Sequence, residues 1–171
     1  MTTNGSTSSP VLLASGGETR DERFERGLKA LNDIHSRSGQ GVAPALADIS
    51  PELGHSIVAW AYGDIYSRPN LAPRDRQLVT LGMLTALGGC EAELEIHINA
   101  SLNVGLSPDE IIEALLQSAV YCGIPRSLNA TMAAKKIFAE RGLLPLGAPS
   151  ALDGLDELGA GFAAEAAPRE E

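Results

Sequence analysis

Residues 107–142, SPDEIIEALLQSAVYCGIPRSLNATMAAKKIFAERG, carry the punctuation of two consecutive helices. Ser107 offers a side-chain acceptor for an N-cap, and Pro108 stands at the first helical position, where its missing N–H leaves nothing unsatisfied. Glu110 sits three residues after the serine, as a capping box requires. The run IIEALLQSAVY continues to Gly123, a residue suited to the turn that ends a helix. Pro125 opens the next helix, which closes at Gly142 with Pro145 beyond. Every strong signal in this stretch is helical.

Working outward gives the same reading. CEAELEIHINASLNV runs from Cys90 to Gly105, and PRDRQLVTLGMLTAL runs from Pro73 to Gly88-Gly89. The latter carries Leu78, Leu81, Met83, Leu84 and Leu87 over much of its circumference, which predicts a central helix. Upstream, Ser50-Pro51 leads into ELGHSIVAWAYGDIY, with Leu53, Ile57, Trp60 and Ala61 expected on one face and a stop at Ser67-Arg68-Pro69-Asn70. Thr19-Arg20-Asp21-Glu22 is a second capping-box pattern, followed by Phe24, Leu28, Leu31 and Ile34 at helical spacing. The expectation is an all-α domain of about six helices with short connections over residues 18–146. Residues 1–17 read as a flexible N-terminal arm. Residues 147–171 read as an Ala/Gly-rich acidic tail, with six acids against one arginine from residue 148 onward.

The 171 residues suffice for one domain with a core; 44% are apolar and 20% charged, which excludes disorder of the whole chain. The net charge of −9 argues against nucleic acid as a partner. No apolar run is long enough for a membrane span, and MTTNGSTSSP has neither the positive charge nor the apolar stretch of a secretory signal. A cytoplasmic protein with no membrane partner is the expectation. Cys90 and Cys122 are expected to be reduced thiols.

Three constellations bear chemistry. In Cys90-x-x-Glu93-x-x-x-His97 the spacings of three, four and seven put all three side chains on one helix wall, where Glu93 can hold the His97 ring and raise its basicity. An exposed intrahelical Glu–His pair is the plainer alternative. A metal site is disfavoured, since no HExxH occurs and His35 and His55 fall on other helices. Tyr121 precedes the Gly123-Ile124-Pro125 corner, where its phenol either donates into a cleft or satisfies a backbone carbonyl. Arg68, among Trp60, Tyr62 and Tyr66, can pair bidentately with a substrate carboxylate or, equally, cap a helix or bridge Asp64.

In order, GDIYSRP, RQL, AELEIH with ASLNVG, and EIIE followed by YCGIP resemble the motifs of the carboxymuconolactone decarboxylase family, over roughly residues 60–140. The resemblance implies a helical AhpD-like subunit that assembles into a homotrimer or homohexamer, with active sites near subunit contacts. It also implies two branches: thiol peroxidases with a C-x-x-C-x-x-x-H motif, and acid–base enzymes without the cysteine pair. Glu93 stands where the second cysteine would be, so a dithiol cycle on this helix is impossible.

The non-redox branch implies a cofactor-independent decarboxylase acting on an unsaturated lactone of the γ-carboxymuconolactone kind, with the substrate as its own electron sink. Under that reading Arg68 anchors a carboxylate, with Arg76 as a second candidate anchor. Tyr121 stabilises the enolate, and His97, oriented by Glu93, transfers the proton. Tyr66, Trp60, Asn129 and Cys90 complete the substrate-binding set, with no metal. Two departures, Leu128-Asn129 in the turn after the corner and Tyr66 at a usual tryptophan position, point to a different lactone, enol or β-keto acid as the alternative substrate. A thiol peroxidase or a non-catalytic helical assembly protein are the alternatives of other classes.

Overall fold

The two capping boxes form as their sequences specify. In the computed structural model, which describes residues 17–36 and 41–147, Thr19 caps α1 (Arg20–His35) and Ser107 caps α6 (Pro108–Cys122). Each hydroxyl accepts from the backbone N–H three residues on, at 3.2 Å, and each glutamate, Glu22 or Glu110, accepts from the cap residue's own N–H at 2.7 or 2.9 Å. Such reciprocal caps satisfy donors that a helix start otherwise leaves unpaired. The expectations for residues 1–16 and for the tail from residue 148 lie outside the described residues.

Between them run α2 (Val42–Ala45), α3 (Pro51–Ser56), α4 (Pro73–Leu87) and α5 (Glu91–Asn103), and α7 (Ile124–Glu140) follows α6. No strand occurs among the described residues. All six expected helices are present, and the single turn α2 is an addition that no periodic pattern announces.

The second expected helix changes its winding partway. After Ser56 the chain continues as a π-helix, Ile57–Tyr66, whose end is marked by the Ser67 N–H donating five residues back to the Tyr62 carbonyl at 3.1 Å. In the π segment Val58, Ala59, Tyr62 and Gly63 are buried; of the expected stripe, Ile57 and Ala61 are half-buried against the same cluster, whereas Leu53 and Trp60 face outward, a correction to the expected face. The segment packs closely on its neighbour. Gly27 of α1 and Gly63 let the two backbones meet: a methyl on Gly27 would collide with the Val58 carbonyl, and one on Gly63 would sit 2.8 Å from the Arg23 carbonyl. Arg23 and Arg26 both pair with Asp64 and tie the same two elements.

Two apolar clusters result. Leu81, Leu94, Ile98, Ile111, Leu115 and Phe138 join α4 to α7, and Leu31, Ile34, Val58 and Tyr62 join α1 to the π segment, with Ala100 of α5 packed into the latter. Helix α5 is therefore shared by both. The expected central role of α4 holds for one face only: Gln77, Leu81 and Thr85 are buried, whereas Val79, Met83 and Leu87 are exposed.

Candidate active site

His97 sits where the two clusters meet. Its Nδ1 lies 3.0 Å from Oε1 of Gln77, a wholly buried residue on the Gln77–Leu81–Thr85 line of α4. Gln77, rather than Glu93, is thus the hydrogen-bond partner of the ring. With Nδ1–H donating to the amide oxygen, Nε2 is left as the basic nitrogen. The amide's own Nε2 is buried without a partner. An amide turned over would serve the opposite tautomer equally well, so Gln77 supports His97 both before and after a proton moves.

The second imidazole comes from the last residue of α1. His35 approaches His97 edge to face, with centroids 5.3 Å apart and planes at 77°, and its Nε2 lies 2.6 Å from the Tyr62 hydroxyl. Tyr62 in turn lies against Tyr66 at 4.9 Å; the Tyr66 hydroxyl hydrogen-bonds Thr80 at 2.8 Å, and the Arg76 guanidinium stands over the Tyr66 ring at 5.9 Å. Three elements thereby contribute to one line of rings, which α4 flanks with Gln77, Thr80 and Arg76.

Burial sets the charge of this group. It pushes His35 down to about 4, with the His97 charge adding to the effect, and it lowers His97 from its usual value although Glu93 pulls the other way. Burial, reinforced by Tyr66, raises the Tyr62 phenol. At neutral pH the site therefore rests as two neutral imidazoles and a neutral phenol. His35, Tyr62, Glu93 and His97 line one cavity of about 930 Å³ that extends along α5 to Lys136 of α7 and to Arg141 just beyond its end. Among the described residues no three of His, Cys, Asp and Glu gather as a metal would need.

The other expected site residues do not line this cavity, although Tyr66 and Arg76 adjoin it through Tyr62. Tyr121 is 83% exposed and lines a separate groove of about 810 Å³ between α4 and α6, with Met83 and Val79. Arg68 and Tyr66 border a third, smaller cavity of about 300 Å³. Arg76 donates to the Leu71 and Arg68 carbonyls, which makes it a brace for the loop before α4. Trp60 and Asn129 face outward. Cys90 is the N-cap of α5, and its thiol donates to the Gly88 carbonyl; Cys122 donates to Ser118, and both thiols are free. Of the expected set, only His97 and Glu93 line the His97 cavity.

His35, Tyr62 and Gln77 were not among the expected site residues. The available signal was polarity on a buried stripe: His35 follows Leu31 by four and Gln77 precedes Leu81 by four, positions where an unpartnered polar side chain is rare.

Comparison with known proteins gives the arrangement its lineage. The chain is 32% identical over 126 residues to 4-carboxymuconolactone decarboxylase of Acinetobacter baylyi, covering 73% of this chain and 93% of that protein. It is 33% identical over 128 residues to nitrosuccinic acid decarboxylase of Metarhizium robertsii, covering 72% and 86%. An uncharacterized 15.0 kDa protein of Paracoccus denitrificans is 26% identical over 97 residues, 56% of this chain and 72% of its own length. Residues 51–136, which span the π segment, Gln77, His97 and most of α7, match a single family model. With that match joined to two relatives that cover most of its length, the chain belongs to the carboxymuconolactone decarboxylase family.

Proposed function

We propose that this carboxy-lyase works without a cofactor on a small carboxylic acid whose neighbouring group accepts the electron pair that CO₂ leaves behind. The names of the two decarboxylase relatives support this, because both substrates carry such a group: an unsaturated lactone in one, a nitro group in the other. The shared requirement is a carbanion delocalised into the substrate and then protonated. In the simplest sequence the C–C bond breaks, CO₂ departs, and the pair becomes a dienolate or nitronate. Protonated His97 then gives its proton to carbon, and water restores it.

The observation that carries this reading is the convergence of His97, His35 and Tyr62 in one cavity, with Gln77 holding the acid–base ring. A ring kept neutral by burial takes up a proton when an anionic substrate enters, because the new negative charge favours the imidazolium. Tyr62, a phenol kept protonated, serves as the donor to the developing oxyanion when His35 holds the Nε2–H tautomer and donates to the phenol oxygen; Tyr121 lines a separate groove. Glu93 assists by its charge at a distance from His97. The same reading assembles the chain into a homotrimer or homohexamer, supported by the apolar residues that α4, α6 and α7 leave exposed.

The test is CO₂ release from 4-carboxymuconolactone and from nitrosuccinate, followed in the ultraviolet for the native chain and for His97→Ala. Loss of the general acid lowers kcat by about 10² to 10⁴. A reduction of less than a few-fold removes His97 from the role. Turnover of nitrosuccinate with none of the lactone would place the activity outside aromatic-compound breakdown.

A further inference from the structure

We propose that Arg141 binds the carboxylate that a dicarboxylate substrate retains, and so selects such substrates over monocarboxylates. This deepens the decarboxylase reading and rests on it for the location of the reacting carbon. Arg141 follows the last residue of α7 and lines the same cavity as His97, His35 and Tyr62.

The guanidinium is aimed by neutral partners. Its Nε–H donates to Asn99 Oδ1 at 2.8 Å, and Nη2 donates to Asn103 Oδ1 at 3.4 Å. Both amides are themselves held, Asn99 Nδ2 donating to the Glu95 carbonyl at 3.0 Å and Asn103 Nδ2 to the Ile34 carbonyl at 3.4 Å, so each oxygen is turned toward Arg141. Neither partner cancels its charge. The cavity's other cation is already satisfied, since Lys136 contacts both oxygens of Glu95 at 2.7 and 2.8 Å. Arg20, Arg23, Arg26 and Arg74 are likewise paired with carboxylates. Glu93 and Glu140 line the cavity too, yet no carboxylate among the described residues pairs with Arg141. Two of its five N–H groups are used, and three remain for a bidentate acceptor.

Reaction chemistry says which carboxylate belongs there. The departing carboxylate loses its charge as CO₂ forms, so an arginine clamped to it would hold the ground state more tightly than the transition state and slow the reaction. A carboxylate that stays is charged throughout, and binding it fixes the substrate without opposing bond cleavage. Nitrosuccinic acid, the substrate in one relative's name, has such a second carboxyl group.

The experiment compares nitrosuccinate with 2-nitrobutanoate, which has a methyl group in place of the second carboxylate, for the native chain, Arg141→Met and Arg141→Lys. Succinate affinity is measured by calorimetry on the same three proteins. The native chain is expected to prefer nitrosuccinate in kcat/KM. Arg141→Met should reduce that preference by about 10- to 100-fold, mainly through KM, and Arg141→Lys should restore part of it. An undiminished preference in Arg141→Met overturns the proposal and leaves the decarboxylase reading standing. If neither nitro acid is turned over, the decarboxylase reading fails for these compounds and succinate decides. A loss of affinity of tenfold or more in Arg141→Met then upholds the anion site, whereas equal affinity, or no succinate binding by the native chain, overturns it.

Discussion

His35 is the residue whose role is most changed by seeing its surroundings. In an unfolded chain its imidazole titrates near the ordinary 6.5, whereas in the fold it titrates at about 4. The unfolded state therefore takes up a proton that the native state refuses, and stability falls as pH drops from about 6.5 toward 4. The contribution present above pH 6.5 and absent below 4 is about 3 kcal/mol. Urea unfolding of the native chain and His35→Gln at pH 7.5 and pH 4.5 checks this. The glutamine variant should be less stable at the higher pH and lose much less on acidification. Identical losses would show that His35 is not the group responsible. The pairing of Glu93 with His97 on one helix face was legible because it is a matter of spacing. The Gln77 hydrogen bond and the His35 contact were not, since they join residues 20 and 62 positions apart that only helix packing makes neighbours.

At the scale of elements, the contact between α1 and the π segment is the most extensive in the fold and depends on two missing side chains. Gly27→Ala would drive a methyl into the Val58 carbonyl, backbone that cannot rotate away, and should cost about 1–3 kcal/mol of stability. Gly41→Ala is the control, because nothing lies within 4 Å of its Cβ position and its φ of −77° suits alanine. Equal denaturation midpoints for the two variants would contradict the close approach. Since that contact positions Tyr62 against His35, Gly27→Ala should also lower kcat. Helix starts and stops were legible here, because caps and prolines act within a few residues. The π winding was not, because Ile57–Tyr66 has the composition of an ordinary helix.

For the whole molecule, the distribution of exposed apolar residues is the unresolved energy. Met83, Val120, Tyr121 and Ile124 are 62–83% exposed on α4, α6 and α7, and large apolar side chains left in water at this level favour a covering partner, which the proposed assembly supplies. Light scattering on the full chain should therefore give the mass of three or six subunits, and Met83→Glu with Val120→Glu should dissociate it with the helical content retained. A native chain of one-subunit mass would contradict the assembly. By itself the sequence determined the all-helical class, the ends of nearly every helix, the family resemblance and the placing of Glu93 and His97 on one wall, all consequences of short-range hydrogen bonding and of periodicity. Only the tertiary structure decided that Gln77 holds His97, that His35 and Tyr62 join it, that Arg141 shares its cavity, and that Tyr121 and Arg68 stand apart. Those are facts of which helix faces pack together, and packing is settled by the fit of side chains and glycine gaps across distant stretches of chain.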